Sequence, residues 1–420
     1  MKKASILLLP VLLMSILAGC GDSNGNSGAS QTADSGEKQT LVVWSRDTED
    51  SQVGRAVESD KAAFEKETGV SVELLHIAHN DVVAKWNTAF AGGTAPDVMD
   101  VGVSHIVGRV ELGHLLPLDD YYNAWEGKDD LASSMVEYGS YDGKIYGLAY
   151  NASPAVMAWR KDYFEEAGLN PDSPPANWEE FLSYAKKLTQ RDGDIVTRGA
   201  VDLPDTRGAH ILAQFFMQND IYESTYKDGP NFTSDGALEA AAFLSDIAPY
   251  AVLTSSGTTS AFEKGNAAMN LCIGPDLIQS MIKEDPSLEG KIGYASSLTN
   301  VKGGMHCGAW LYSISSQSKQ PDLAWDWIEF IFTKERVEAR MNETNMVPPL
   351  TSMSEEYKEL GGELYAAQLG NLVQSQAYPK LSWTNIYEES LHLAYDEIIY
   401  AQKTPEQAMQ DLEAECKNKM

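Results

Sequence analysis

The chain has 420 residues, of which 43% are hydrophobic and 22% charged, and its formal net charge is −29 at pH 7. This composition is typical of a folded protein, and the length allows two domains. The excess of carboxylates argues against binding to nucleic acid or electrostatic docking on anionic lipid, because both require clusters of Lys and Arg.

The N-terminus predicts a cleavable leader. Residues 1–3 are a short basic start, and residues 4–18 form an apolar stretch too short for a stable membrane span. Residues 17–20 (LAGC) resemble a bacterial lipobox. The resemblance implies removal of a signal peptide, residues 1–19, and attachment of lipid to the Cys20 sulfur. The alternative is an ordinary secreted chain in which a cysteine lies near the cut by coincidence.

The residues after Cys20 predict a flexible connection. Residues 21–38 (GDSNGNSGASQTADSGEK) carry almost no apolar side chain, so they bury too little surface to offset their conformational entropy. We expect residues 20–39 to be a lipidated tether with a root-mean-square span of roughly 20 to 25 Å. The tether would hold the body at the outer face of the cell membrane, through lipid alone. A host with a single membrane fits this best, and an inner- or outer-membrane lipoprotein is the alternative.

The first part of the body alternates between predicted strands and helices. Apolar runs and helical spacing predict a strand at 41–44, a helix at 53–68, a strand at 70–77, a helix at 82–91 and a strand at 98–103. Glycines at 69 and 92–93 are expected to end the two helices. This order predicts a parallel sheet covered by helices.

The middle of the chain, about 155–288, is more helical and is expected to form a second lobe. Its predicted helices lie at 161–167, 178–190, 209–219, 234–247 and 277–283, with strands at 157–159 and 267–273. Strands at 292–295 and 309–315 follow, and then helices at 323–332, 386–400 and 405–416.

The cysteines other than Cys20 have no spacing typical of a metal site. Cys272, Cys307 and Cys416 are odd in number, so a disulfide between the first two is one alternative and buried free thiols are the other. His76 and His79 have no third His or Cys nearby, and we expect neither a metal site nor a cofactor.

Catalytic signatures are also missing from the sequence. Residues 305–307 (MHC) lack the pattern of a cysteine hydrolase. Neither a phosphate-cradling glycine loop nor a nucleophile elbow occurs. We therefore do not expect an enzyme.

Six segments identify a family. They are GTAPDV (93–98), LPLDDY (116–121), DGKIYGL (142–148), RKDYFEEAGL (160–169), FEKGNAAM (262–269) and AWDWI (324–328). In this order they resemble the family 1 extracellular solute-binding proteins that feed ABC importers, especially the carbohydrate-uptake branch. The segments are spread over nearly the whole mature chain, and each one alone would be a weak signal.

The resemblance implies an α/β, two-lobed periplasmic-binding-protein-like fold of type II. Its ligand cleft lies between lobes that are joined by crossing strands, expected near 150–154, 295 and 316. The N-lobe would comprise residues 40–150 and 296–316, and the C-lobe residues 151–295 and 317–420. Closure of the two lobes on a hinge would trap the ligand.

Candidate ligand-binding residues in the N-lobe lie at the ends of predicted strands. A sugar needs aromatic platforms and planar polar groups, and ligands of open α/β sheets lie beyond the carboxyl ends of the strands. The candidates are Trp44, Asp47, Asn80, Asp81, Asp100 and Trp310, with Tyr150 and Asn151 at the first crossing, where the family commonly contacts ligand. Packing is the alternative role for the tryptophans, and capping or a solvated loop for Asp81 and Asp100.

The C-lobe candidates are Asn270, Asp276 and Trp383. Many relatives have Trp where this chain has Asp276, so the aromatic platform of this lobe is expected at Trp383, which matches a stacking position of the family. Asp202 and Arg207 are not placed well enough by the sequence to be included.

The function implied is binding without catalysis. A monomer would capture a mono- or oligosaccharide and deliver it to the permease subunits of an ABC importer. The alternatives are a binding protein for another solute, such as a polyamine or a glycerophosphodiester, and an extracellular glycan-active enzyme. Few basic residues lie at the predicted strand ends, which argues against phosphate.

Overall fold

The computed structural model describes residues 39–204, 208–222, 229–255, 259–372, 375–376 and 379–420. The predicted signal peptide, the predicted lipidation site Cys20, the expected tether up to residue 38 and Arg207 lie outside the described residues. Within those ranges, the helices are all too short or too polar to cross a membrane.

The described ranges contain fourteen strands and fifteen α-helices. The strands are β1 (Thr40–Ser45), β2 (Ser71–His76), β3 (Val98–Gly102), β4 (Ser140–Tyr141), β5 (Lys144–Ile145), β6 (Leu148–Pro154), β7 (Val156–Arg160), β8 (Gln190–Asp192), β9 (Ile195–Pro204), β10 (Ala251–Thr254), β11 (Ala267–Ile273), β12 (Ile292–Ala295), β13 (Met305–Ile314) and β14 (Ser375–Gln376). The helices are α1 (Gln52–Thr68), α2 (Val82–Gly92), α3 (Ile106–Glu111), α4 (Asp119–Ala124), α5 (Ser133–Tyr138), α6 (Lys161–Glu166), α7 (Trp178–Leu188), α8 (Gly208–Gln218), α9 (Asp235–Ile247), α10 (Pro275–Glu284), α11 (Pro321–Ile331), α12 (Lys334–Thr344), α13 (Ser354–Leu372), α14 (Thr384–Ile399) and α15 (Pro405–Lys419).

Local sequence explains where several of these elements begin and end. Gly69 follows α1 with a φ of 74°, and Gly93 follows α2 with a φ of 69°, a left-handed conformation that favours glycine. Asn177 accepts a hydrogen bond from the Glu180 N–H at 2.9 Å and so caps α7. The predicted helix stops are confirmed.

The first sheet is built around three parallel strands, as predicted. β1 lies between β2 and β3 and is parallel to both. β13 runs antiparallel along the other edge of β3, and β6 and β14 pair with β13. Strand β1 is buried because helices cover the faces of the sheet, with Leu41 and Val43 fully buried.

The second sheet has the order β10-β9-β11-β7-β12, with the short β8 on β9. It mixes parallel pairs with antiparallel ones. Helices α14 and α15 pack on α8 and α9 and share their hydrophobic core. The two mixed sheets form two lobes.

Two connections join the sheets. Strand β6 of the first sheet runs through Ala155 directly into β7 of the second. Residues 296–304 link β12 of the second sheet to β13 of the first. Both connections lie on one side of the molecule, where α13 contacts β6, β7 and β12.

The contacts of α11 and α12 favour a lobe division different from the expected one. Arg336 and Arg340 of α12 both form ion pairs with Asp60 of α1, and the ring of Trp327 lies 5.3 Å from that of Phe64. These helices therefore pack on the first sheet, although the sequence places all of 317–420 in the C-lobe. We propose that residues 317–344 belong to the N-lobe.

The cysteine alternatives are resolved in favour of buried thiols. Among the described residues, Cys272, Cys307 and Cys416 are buried and form no disulfide with one another. Burial raises the pKa of the Cys307 thiol to about 12, so this thiol stays protonated at neutral pH and is a poor nucleophile.

Candidate functional site

The carboxyl ends of β1, β2 and β3 lie side by side at one edge of the first sheet. These strands are adjacent and parallel, so the residues that follow Ser45, His76 and Gly102 meet there. The edge carries the polar side chains of Arg46 and Asp47.

Arg46 is the central side chain of this edge. It is 6% exposed, its guanidinium contacts the Nδ1 atom of His79, and it lies 5.6 Å from the ring centroid of Trp310. A Cβ atom at Gly102 would lie 1.8 Å from Arg46 Nη1, so a larger residue there would have to displace the guanidinium. Among the described residues, Arg46 forms no ion pair, and its Nε has no hydrogen-bond partner.

Asp100 lies below Arg46 on β3 and is 1% exposed. Its Oδ2 accepts hydrogen bonds from the Arg46 backbone N–H at 3.3 Å and from the Tyr150 hydroxyl at 3.0 Å. Burial raises the pKa of this carboxyl to about 7, although the charge of Arg46 opposes the shift. Its Oδ1 has no partner within the described ranges.

Asp47 is half-buried, and burial likewise raises its pKa against the opposing charges of Arg46, His79 and His76. Its Oδ2 is buried without a hydrogen-bond partner in the part of the chain described. The His76 Nδ1–H donates to the Asp47 carbonyl at 2.8 Å and fixes the loop.

The imidazoles around Arg46 are held neutral. Burial and the charge of Arg46 lower the pKa of His79, and burial with the charges of Arg46, Arg109 and His79 lowers that of His105 to about 4. Positive charge at this edge therefore comes from Arg46 at neutral pH.

Tyr150 and Asn151 are both 1% exposed. Tyr150 stacks on Tyr312 at a centroid distance of 4.2 Å, and Arg340 lies over its other side at 4.8 Å. Asn151 contacts the Met346 sulfur. The Tyr150 hydroxyl thus holds the Asp100 carboxyl by a hydrogen bond, and Asn151 contacts the segment after α12.

Trp310 is half-buried and lies directly opposite Gly102 on the neighbouring strand. Trp44 is 8% exposed, with Lys85 Nζ 5.5 Å from its ring centroid. Asn80 and Asp81 are exposed in the turn before α2, where Asp81 makes no capping hydrogen bond. Trp310 is thus the aromatic side chain that the structure brings to Arg46.

The C-lobe candidates differ in their surroundings. Asn270 is buried, and its Oδ1 accepts from the Cys272 N–H at 2.9 Å. Trp383 is 6% exposed in the second hydrophobic core, edge-on to Tyr387 at 6.3 Å. Asp276 is exposed in the first turn of α10. These residues are not in contact with the Arg46 group.

Three residues of the edge were missed from the sequence: Arg46, His79 and His105. Arg46 directly precedes the candidate Asp47 at the end of a buried strand, and that position was the available signal.

Asp202 is buried and accepts hydrogen bonds from Thr254 and Phe262, so it supports the second lobe locally. Among the described residues, no group of His, Cys, Asp and Glu is arranged to hold a metal ion.

Comparison with known proteins gives consistent matches along the chain. The family model described as bacterial extracellular solute-binding protein matches residues 61–362. A putative binding protein of Brucella abortus is 28% identical over 326 residues, 72% of this chain and 74% of that protein. The galactooligosaccharide-binding protein of Bacillus subtilis is 24% identical over 432 aligned residues, 97% and 95% of the two chains. The sn-glycerol-3-phosphate-binding periplasmic protein of Rhizobium meliloti is 41% identical over 58 residues, 14% of each chain.

Solved structures show the same fold. The sugar-binding protein MalE of Xanthomonas citri matches with a TM-score of 0.80 at 21% identity, over 90% of this chain and 97% of that one. A cyclo/maltodextrin-binding protein in complex with maltotetraose matches with a TM-score of 0.76 at 19% identity, over 91% and 98%. The predicted two-lobed α/β fold is confirmed.

Proposed function

The chain belongs to the family of bacterial extracellular solute-binding proteins, and from that premise we propose that it captures a saccharide for uptake. As a member of this family it is a non-enzymatic solute-binding protein of an ABC transporter. The proposal concerns the ligand, the residues that hold it and the anchoring of the chain.

One observation carries the saccharide assignment. Arg46 Nε, Asp47 Oδ2 and Asp100 Oδ1 are buried and have no hydrogen-bond partner among the described residues. They provide one donor and two acceptors, and the Arg46 guanidinium lies 5.6 Å from the Trp310 ring centroid. A sugar hydroxyl both donates and accepts, and the C–H face of a sugar ring packs on an aromatic side chain. A polyol ring therefore matches this group better than an apolar or a purely cationic ligand.

The comparisons support the same class of ligand. MalE of Xanthomonas citri is described as sugar-binding, one similar structure holds maltotetraose, and the relative in Bacillus subtilis binds galactooligosaccharide. We propose that the group formed by Arg46, Asp47, Asp100 and Trp310 is the N-lobe half of the binding site. Asp276 and residues of the second lobe would cover the ligand after closure.

The lipobox completes the proposal. Lipid on Cys20 and the tether would keep the binding protein beside its permease at the outer face of the membrane. Closure needs only a higher affinity of the ligand for the closed form than for the open form. A monomer suffices for this cycle.

Arg46 also favours a second candidate, an acidic polyol such as a glycerophosphodiester. A guanidinium without an ion-pair partner in the described residues can bind a phosphate with two hydrogen bonds. The short match to a glycerol-3-phosphate-binding protein points the same way. The neighbouring Asp47 and Asp100 oppose an anion, so the neutral saccharide remains the first proposal.

A thermal-shift screen of the full chain tests the proposal. The panel contains maltose, maltotriose, β-1,4-galactobiose, glycerol 3-phosphate and spermidine, with Arg46→Gln beside the wild type. Arg109→Gln is the matched control, because Arg109 is also buried and its Nε also lacks a partner among the described residues, but its guanidinium donates to Asn87 at 2.7 Å and lies over Trp86 instead of Trp310. Stabilisation by a saccharide that Arg46→Gln loses and Arg109→Gln keeps supports the proposal. Stabilisation by glycerol 3-phosphate alone selects the second candidate. Stabilisation by spermidine alone contradicts both the saccharide and the acidic-polyol proposal.

A further inference from the structure

Helix α13 lies against the two strand connections between the sheets, from β6 to β7 and from β12 to β13. Its two halves meet at Gly362, where φ is 60° and the backbone is not helical. The second half carries Gln368 and Asn371, and both side chains are fully buried. Buried amide side chains need hydrogen-bond partners, and both of these donate to backbone carbonyls at the junction of β6 and β7.

The side chain of Asn371 forms hydrogen bonds with both connections. Its Nδ2 donates to the Ala155 carbonyl at 2.8 Å, in the link between β6 and β7. Its Oδ1 accepts from the Ser297 N–H at 3.1 Å, in the link between β12 and β13. A Cβ atom at Gly370 would lie 2.8 Å from Ser296 Oγ, so the helix packs tightly on the second link.

Gln368 links the first connection to Tyr357 in the first half of α13, and Tyr357 in turn contacts the end of α12 in the proposed N-lobe. The Gln368 Nε2 donates to the Pro154 carbonyl at 3.3 Å, and its Oε1 accepts from the Tyr357 hydroxyl at 2.7 Å. The Tyr357 hydroxyl also lies 2.9 Å from the carbonyl of Asn345, the residue that ends α12.

Helix α13 also contacts the C-lobe, through the side chain of Tyr365. The Tyr365 hydroxyl accepts a hydrogen bond from Gln279 Nε2 of α10 at 2.9 Å. Helix α13 is therefore bonded to both lobes and to both connections, through side chains that do not contact the Arg46 group.

We infer that Gln368 and Asn371 are positioning residues for lobe closure, which set the angle between the lobes by tying both connections to one helix. These side chains form hydrogen bonds with three backbone groups: the carbonyls of Pro154 and Ala155 and the N–H of Ser297. Without the ties, the connections can take several backbone conformations, and the angle between the lobes becomes less defined. Ligand affinity would then change without any contact to ligand, because the free energy of closure is part of the binding free energy.

The distance between the lobes in the ligand-free full chain tests this inference, whatever the ligand is. Nitroxide labels on unnatural amino acids at Thr88 and Lys187, both exposed and one in each lobe, allow a pulsed electron-spin distance measurement. We expect Asn371→Leu and Gln368→Met to widen the distance distribution roughly twofold or to shift its mean by several ångström.

Thr254→Val is the matched control. Thr254 is buried and donates to Asp202 at 2.8 Å within the second lobe, so this variant loses a buried hydrogen bond away from the connections. Its distribution should match that of the wild type even if its melting temperature falls equally. Distributions of both α13 variants that coincide with the wild type would overturn the inference, and so would equal broadening in Thr254→Val. If Asn371→Leu does not fold, Gln368→Met decides the outcome.

Discussion

Gly102 faces the guanidinium of Arg46 so closely that a Cβ atom at this position would lie 1.8 Å from Arg46 Nη1. The two residues end neighbouring segments of the first sheet, and the missing side chain of one makes room for the charge of the other. Arg46 is 6% exposed and keeps an unpartnered Nε, within the described residues, beside Trp310. The geometry of the proposed binding site therefore depends on the absence of a side chain at Gly102.

Gly102→Ala should displace the Arg46 guanidinium and weaken saccharide binding by roughly tenfold, about 1.4 kcal/mol, while the chain stays folded. Gly108→Ala is the control, because a Cβ there meets no atom within 4 Å. Titration calorimetry with the ligand found in the screen measures both. Equal affinities of Gly102→Ala and wild type would show that Arg46 does not position the ligand.

Trp310→Ala and Trp383→Ala should separate binding from stability. Trp310 is half-buried beside Arg46, so its loss should weaken binding by one or more kcal/mol with little effect on folding. Trp383 is packed in the second core, so its loss should cost about 3 to 5 kcal/mol of unfolding free energy. Calorimetry and urea unfolding distinguish the two, and the reverse pattern would restore Trp383 as a stacking residue.

Asp100→Asn should change how stability depends on pH. The raised pKa, about 7, means that the folded wild type holds this proton while the unfolded chain releases it above the ordinary value of 3.8. The wild type therefore loses stability relative to Asp100→Asn as the pH rises from about 4 to 7, by about 1 kcal/mol per pH unit, and the difference levels off above that. Urea unfolding at pH 5, 6, 7 and 8 measures it. Parallel curves for the two proteins would contradict this role of Asp100.

Asp60→Asn should destabilise the chain strongly. Asp60 is fully buried and pairs with Arg336 and Arg340, so its neutralisation leaves two buried guanidinium groups without their carboxylate. We expect a loss of about 3 to 5 kcal/mol in urea unfolding. Glu343→Gln breaks the exposed pair with Arg55 and should cost at most about 1 kcal/mol. Similar losses in both variants would argue against α12 being anchored to α1.

The alternation of elements in the N-lobe was predictable because its signals are local. Glycines at 69 and 93 end α1 and α2, and the apolar runs before, between and after these helices mark the three parallel strands. Strand β9 was missed, because Asp202 interrupts its apolar run. That carboxylate is satisfied by the Thr254 hydroxyl and the Phe262 N–H, partners that are distant in sequence.

The site was predictable only in part, for a similar physical reason. The rule that ligands lie beyond strand ends led to Asp47 and Asp100, but the importance of Arg46 depends on Gly102 and on packing across strands. The burial of Trp383 follows from the packing of α14, which no local pattern reveals. The lobe to which α12 belongs is decided by Asp60, far away in the chain.

The most direct measurement of the central claim is a calorimetric titration of the full chain with the saccharide panel, followed by chromatography of the recovered ligand. We predict saturable binding of at least one saccharide at roughly micromolar affinity or tighter, loss of that binding in Arg46→Gln, and recovery of the saccharide unaltered. Binding of spermidine without any saccharide, or cleavage of the recovered saccharide, would contradict the account.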